Sequence, residues 1–353
     1  MTSKRQQGIA LISVLLVVAI LLAVASRLMT GHNVVINQHQ NVFEQNQALQ
    51  YVLGAETLAM EALRLDFEGL PGQEGGNASD HLGEQWAQAL PPFELDEGGF
   101  LEAQLRDLNN CYNANSVLDP PSVVPGRGGA GTGGDDNRDP RAAGGSGSSP
   151  ASHFRTYLSA LSLLPEIADE WLSWVDVDDL NGRGEDADYA LSQPPHRTPN
   201  IPVTDVSEFA LLASVEQEDL AVLRNTVCLL PDTGLRINLN TAPLEVLVAY
   251  ATAQNQSRGQ GQLSNLGLLE SFASEERAYG PDEPLPQDIA QMFPSPVFTS
   301  NYFEMHATAQ VGSSSVTLRS VLYRNQSSGE ITVLQRDFGK LFRSRLTVEI
   351  EEA

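Results

Sequence analysis

The stretch IALISVLLVVAILLAVA, Ile9 to Ala25, decides how the rest of the chain is read. It carries no charge and no breaker, and it is flanked by Lys4 and Arg5 on one side and Arg27 on the other. At about 1.5 Å per residue the uncharged positions between Arg5 and Arg27 reach roughly 30 Å, enough to cross the hydrocarbon core of a bilayer. The basic residues ahead of it place the N-terminus in the cytoplasm and the remainder outside. No second run of this kind is present in the sequence. Ala23-Val24-Ala25 also fits a signal-peptide cleavage site, and a plain signal anchor would suit the same composition. A third reading is a short basic leader ending at Gly8, cut before Ile9, with the apolar helix retained.

The residues beyond the apolar run favour the third reading. Asn33 to Asp66 contains no proline and only Gly54 as a breaker, while Val42, Ala48, Leu49, Val52, Ala55, Leu58, Ala59, Ala62 and Leu63 recur at helical intervals. The spacing predicts one rod from Ile9 to about Leu65, roughly 85 Å long, apolar all round in its first half and amphipathic in its second. A signal anchor needs no such extension; a filament subunit packs one half among its neighbours and uses the other to carry a head.

The whole chain of 353 residues has 45 Asp and Glu against 21 Lys and Arg, a formal charge of −24. That excess excludes affinity gained by releasing phosphate counterions, and with it nucleic-acid binding. Cys111 and Cys228 are the only cysteines, too few for a thiolate zinc cage or an iron–sulfur cluster. They either bridge, closing a loop of more than a hundred residues, or stay as two buried thiols. The six histidines show no H-E-x-x-H spacing and no G-x-S-x-G is present, so a hydrolytic site has no recognisable frame.

Period-2 alternation predicts strands at Phe100 to Leu108, Tyr302 to Val311, Val316 to Tyr323 and Ile331 to Phe338. A short helical patch is expected near Leu82 to Leu90. Between the first strand and the others the pattern turns helical, at Ala151 to Leu164, Glu166 to Trp174, Val206 to Leu212, Gln217 to Leu223, Pro243 to Ala251 and Leu266 to Glu276. Gly126 to Pro150 holds nine glycines in twenty-five residues and reads as a flexible exposed loop. The expected class is therefore α+β: a long helix on an antiparallel sheet that a large, mainly helical insertion interrupts.

Two segments of the insertion stand out. Trp171 to Ala190 (WLSWVDVDDLNGRGEDADYA) gathers Asp176, Asp178, Asp179, Glu185, Asp186 and Asp188 within thirteen positions. Such carboxylates repel unless solvated or neutralised, and a hard cation with oxygen ligands would turn that repulsion into a cross-link. The spacing is not that of an EF-hand, since Leu180, Asn181 and Ala187 occupy the positions where a ligand, a glycine and a glutamate belong. Arg236 to Tyr250 (RINLNTAPLEVLVAY) predicts a helix capped by Asn240 or Thr241, with Pro243 in its first turn and Leu244, Leu247 and Val248 on its apolar face.

Gly8-Ile9, the apolar run and the extended helix resemble the type IV pilins and the pseudopilins of type II secretion. Most members of that family have Glu as the fifth residue after the cut, where this chain has Ser13. With the W-x-D-x-D…G-x-E-D…Y-like pattern of Trp174, Asp176, Asp178, Gly184, Glu185, Asp186 and Tyr189, the N-x-N-T-A motif at Asn238 and the Asn-rich DLNNCYNANSV at Asp107, the chain is similar to the large minor pseudopilins, the general secretion pathway protein K family.

The resemblance implies a pseudopilin fold with a prepilin leader at 1–8, the membrane and filament half of the long helix at 9–30 and its periplasmic half at 31–66. It implies a head formed by 67–111 and 299–353, and an inserted helical domain at 112–298 with a flexible loop at 126–150. It further implies cleavage after Gly8 by a prepilin peptidase, methylation of the Ile9 amine, Ca²⁺ on the six carboxylates and a Cys111–Cys228 bridge. The expected setting is the inner membrane, single-pass, with the head in the periplasm. Expected partners are minor pseudopilins of the I, J and H types and the inner-membrane assembly platform. The role implied is non-enzymatic: starting a pseudopilus from its tip for export across the outer membrane. The rival is a membrane-anchored periplasmic binding module or hydrolase.

Overall fold

The computed structural model describes residues 7–69, 78–88, 91–96, 98–119, 149–177, 189–192, 194–261, 263 and 265–339. One helix, α1 (Gln7–Glu68), runs for 62 residues without interruption, about 93 Å at the standard rise. Its stretch Leu11–Met29 has a mean hydropathy of 2.7 and none of it is buried. That length and composition suffice to cross a membrane. Further along, Glu44, Ala48, Val52, Ala55, Ala59 and Leu63 line one buried face at steps of three and four residues. Three of the six are alanines, which lets the helix axis sit close to the sheet.

That sheet has five antiparallel strands in the order β1 (Phe93–Glu94), β2 (Gly99–Asp107), β5 (Tyr302–Val311), β6 (Ser314–Arg324), β7 (Ile331–Asp337). Its pleat turns Leu105, Phe303, Met305, Ala307, Ala309, Val311, Leu318 and Leu322 toward α1, and with Trp86 and Leu95 they form the core of the head. Gly99, at the mouth of β2, has φ +125°, and a Cβ there would lie 2.0 Å from the Gln310 carbonyl. Only glycine allows the two strands to begin pairing at that point.

Asp107 and Phe303 face each other in the β2–β5 register, so the chain between β2 and β5 leaves the sheet and returns to the same place. The excursion contains β3 (Tyr112–Asn113), α2 (Pro150–Ala160), α3 (Glu166–Val175), α4 (Asp219–Thr226), β4 (Val227–Cys228), α5 (Leu244–Ser257), α6 (Leu266–Ser274) and α7 (Gln287–Met292). β3 and β4 pair in parallel. This unit has its own core around Trp171, Trp174, Phe154, Tyr157, Phe209 and Leu247.

Several expectations shift. Gln85–Ala87 and Val206–Leu211 are 3-10 turns rather than α-helix, and α7 has no counterpart among the helices that the sequence predicts. The helix expected from Ala151 begins at Pro150, capped by the Ser149 hydroxyl on the Ser152 N–H, so Pro150 belongs to α2 and not to the glycine-rich loop. The remainder of that loop lies outside the described residues up to 148. In α5 the cap position is Pro243, with no side-chain cap, and the buried face is Val246, Leu247 and Ala249. Asn240 and Thr241 are engaged elsewhere.

Candidate functional site

Two polar networks organise the described residues: one fastens α1 to the sheet, the other ties the inserted domain to the head. Three carboxylates clamp α1 to the sheet. Glu44 accepts from the Ser313 N–H (3.0 Å) and hydroxyl (3.0 Å) in the β5–β6 turn. The Ser313 amide, first, and then the Gln40 side chain hold its carboxyl below the ordinary glutamate range. Glu56, buried, accepts from the Ser320 hydroxyl and from Arg336 Nη2 at 2.6 Å. Asp66 pairs with Arg324 at 3.1 Å. Gly312, at φ +55°, leaves the space that the Glu44 carboxylate fills; a Cβ would come within 2.6 Å of it.

The joint is built from the two asparagine-rich motifs, which meet. Asp107, at the end of β2, is fully buried and accepts from the Thr241 hydroxyl, the Ser300 hydroxyl (2.7 Å) and the Asn109 N–H (2.7 Å). Burial outweighs those donors and pushes its carboxyl up to about 6. Asn238 donates to Ser300 Oγ (2.8 Å) and to the Asp80 carbonyl (3.1 Å). Asn240 donates to the Tyr279 carbonyl (2.8 Å) and accepts from the Tyr279 N–H (3.0 Å). Asn109 accepts from the amides of Asn301 (2.9 Å) and Tyr302 (3.0 Å), and its carbonyl takes the Asn238 N–H at 2.8 Å. Arg277 reaches the carbonyls of Leu239 (2.6 Å) and Ala242 (2.8 Å). Thus the segment that reads as a capped helix start spends its polar side chains on satisfying the loops at which the chain leaves and rejoins the sheet.

Cys111 and Cys228 form a disulfide beside this joint, with Cα atoms 5.6 Å apart. Of the acidic stretch, Asp176 is described: it ends α3, half-buried, its N–H on the Leu172 carbonyl at 2.9 Å. Asp178, Asp179, Glu185, Asp186 and Asp188 lie outside the described residues. The two ends of the stretch are brought together. Trp174 meets Tyr189 edge-on with ring centroids 5.1 Å apart, and the Tyr189 hydroxyl donates to buried Glu170. Glu170 also accepts from the amides of Ala213 (2.6 Å) and Ser214 (3.0 Å). Gly8 and Ile9 fall in the first turn of α1. Sequence reasoning missed Asp80, Glu84, Glu170 and Arg324; a lone arginine at the end of a strand was the sole available signal for the last.

A family profile, type II secretion system (T2SS), protein K, matches residues 110–232. The type II secretion system protein K of Pseudomonas aeruginosa is 30% identical over 350 residues, covering 96% of this chain and 94% of that one. That of Klebsiella pneumoniae is 34% identical over 250 residues, covering 68% and 67%. The chain belongs to the type II secretion system protein K family. As a member it is a minor pseudopilin, a structural component of type II secretion. Its fold is shared with a chain in the crystal structure of the GspK-GspI-GspJ complex from enterotoxigenic Escherichia coli, at a TM-score of 0.61 and 22% identity, over 86% of this chain and all of that one. In this family member the profile spans the disulfide, the β3–β4 pair and the acidic stretch, all in the inserted domain.

Proposed function

We propose that this protein stands at the tip of the pseudopilus, joins minor pseudopilins of the I, J and H types and starts assembly on the inner-membrane platform, so that folded proteins are exported across the outer membrane. One observation carries the reading: α1 is continuous from its wholly exposed apolar half into a head widened by an entire inserted domain. A head of that width clashes with its neighbours if repeated at every step of a filament, and fits where nothing stacks above it. Ser13 agrees, because a terminal subunit has no neighbour's amine for a carboxylate to neutralise. The solved relative was crystallised with GspI and GspJ, which supports those partners here.

In this reading prepilin peptidase cuts after Gly8, the Ile9 amine is methylated, the helix sits in the inner membrane and the head in the periplasm. The contribution is shape and packing surface rather than catalysis. The carboxylate-only donor set, its ends drawn together at Trp174 and Tyr189, fits a hard cation. Bound Ca²⁺ would neutralise the stretch and cross-link it, with Asp176, Asp178, Asp179, Glu185, Asp186 and Asp188 as the residues that hold it.

The test is intact mass and terminal sequencing of the protein purified from membranes. A start at Ile9 is expected; a start at Ser26 or an uncut chain overturns the filament reading. Co-purification with I- and J-type pseudopilins, lost when residues 9–30 are replaced by an unrelated membrane anchor, tests the complex separately.

A further inference from the structure

At the end of α1 three carboxylates gather, and two of them pair with one arginine. Oxygens of Asp66, Asp80 and Glu84 lie within 4.8 Å of one another. Arg324, only 2% exposed, pairs with Asp66 (3.1 Å) and with Asp80. Three carboxylates held this close together, largely out of water, are costly to keep ionised at once. Glu84 is the third carboxylate of this group. It is 6% exposed and takes the Trp86 indole N–H (2.5 Å) and the His81 N–H (3.1 Å). Among the described residues, the charged groups beside it are Asp66 from α1 and Asp80 and His81 from its own segment (His81 Nε2 at 3.7 Å), with Arg324 of β6 paired to the two aspartates. Glu276, from the inserted domain, lies against Gly83.

We propose that Glu84 binds a proton that closes a latch between the end of α1, the segment 78–88 and the inserted domain. The segment is gripped from both sides. Trp86 packs edge-on against Phe303 of the head at 5.2 Å, while Asn238 and Asn240 of the inserted domain donate to the Asp80 carbonyl (3.1 and 3.3 Å). A proton on Glu84 leaves two charged carboxylates in the group instead of three, and the segment stays docked. When Glu84 ionises, the added charge drives the segment outward and loosens the inserted domain's hold on the long helix. Burial, then the charges of Asp66 and Asp80, push its carboxyl up to about 7, inside the pH range of a compartment that follows the medium. A group raised in this way favours the closed state below the open-state value and loses that contribution as pH rises through the closed-state value.

Hydrogen exchange of the full chain in detergent, corrected for intrinsic rates, reads the latch at Asp80 to Gln88. Protection there is expected to fall about tenfold per pH unit between roughly pH 5 and 7 and to level above it. Glu84→Gln, which mimics the protonated acid, is expected to keep high protection to pH 8.5. Asp66→Asn removes one repelling charge and is expected to move the midpoint to lower pH, which keeps the proposal testable if Glu84→Gln folds poorly. A flat wild-type profile, or the same fall in Glu84→Gln, overturns the proposal. Protection restored at pH 8 by calcium chloride in the wild type but not in the glutamine variant overturns it in favour of a bound divalent cation.

Discussion

Asp107 Oδ2 and Ser300 Oγ lie 2.7 Å apart across a sequence separation of 193 residues. The contact sits where the chain leaves the sheet and where it returns, and Thr241 from inside the inserted domain donates to the same oxygen. Asp107→Ala strands those donors in a buried site. An unfolding free energy about 3 kcal/mol lower is expected, against about 1 kcal/mol for Thr241→Val. Urea unfolding followed by circular dichroism distinguishes the two, and equal losses would deny Asp107 its place at the centre of the joint.

Glu304 and Asp107 respond to pH in opposite senses. Burial raises the Glu304 carboxyl, but the hydrogen bond from His306 and the charge of Arg319 overcome it and hold the group at about 2. Its contribution is present above the ordinary glutamate value and is lost as pH falls through 2. The raised Asp107 contributes below the ordinary aspartate value and loses that contribution as pH rises through about 6. Melting temperatures of Glu304→Gln against the wild type are therefore expected to converge on acidification below pH 4. A constant gap down to pH 2 would contradict this.

The Cys111–Cys228 bridge spans 117 residues. In the chain-entropy treatment a loop of that size contributes about 4–5 kcal/mol. Replacing both cysteines by alanine is expected to lower the melting temperature of the inserted domain while leaving α1 and the five-stranded sheet folded. Hydrogen exchange that shows β5 and β6 opening together with α2 and α5 would disprove that separation.

Gly99→Ala forces a Cβ against the Gln310 carbonyl at a positive φ. The expected cost is about 2–4 kcal/mol, with loss of the β1–β2 edge. Gly54→Ala, with nothing within 4 Å of the new methyl, is expected to stabilise by about 1 kcal/mol instead. Thermal melts of the pair decide, and a neutral Gly99→Ala would show that β2 shifts freely.

Chelation tests the acidic stretch. If Ca²⁺ bridges it, removal by EDTA is expected to lower the melting temperature by several degrees, and Asp186→Asn is expected to abolish the difference. Unchanged melting with and without chelator would leave these carboxylates simply solvated.

How much is legible in the sequence depends on the range over which each residue acts. The long helix can be read because proline is missing from it and its apolar spacing changes character near Asn33, both local facts. The strands β5, β6 and β7 are legible nearly to the residue because apolar and polar residue types alternate along them, even in β5, where Tyr302 to Ala307 are all buried. α7 escapes because Gln287–Met292 is barely a turn and a half between Pro286 and Pro294. Asn240 and Thr241 read as caps because local geometry favours that use; Tyr279 and Asp107, 39 and 134 residues away, take them instead. The Arg324–Asp80 pair joins residues 244 apart and has no local signature.

Asp107 and Phe303 are direct cross-strand partners, and the cores of the head and the inserted domain are separate, with a small cluster of Cys111, Cys228, Leu230 and Tyr302 between them. The head is thus already topologically closed without its passenger. Splicing a tight hairpin turn across the β2–β5 junction would yield a slim version of the same subunit. With that version, the length of filament that can grow past it becomes a direct readout of how much of tip behaviour is bulk alone.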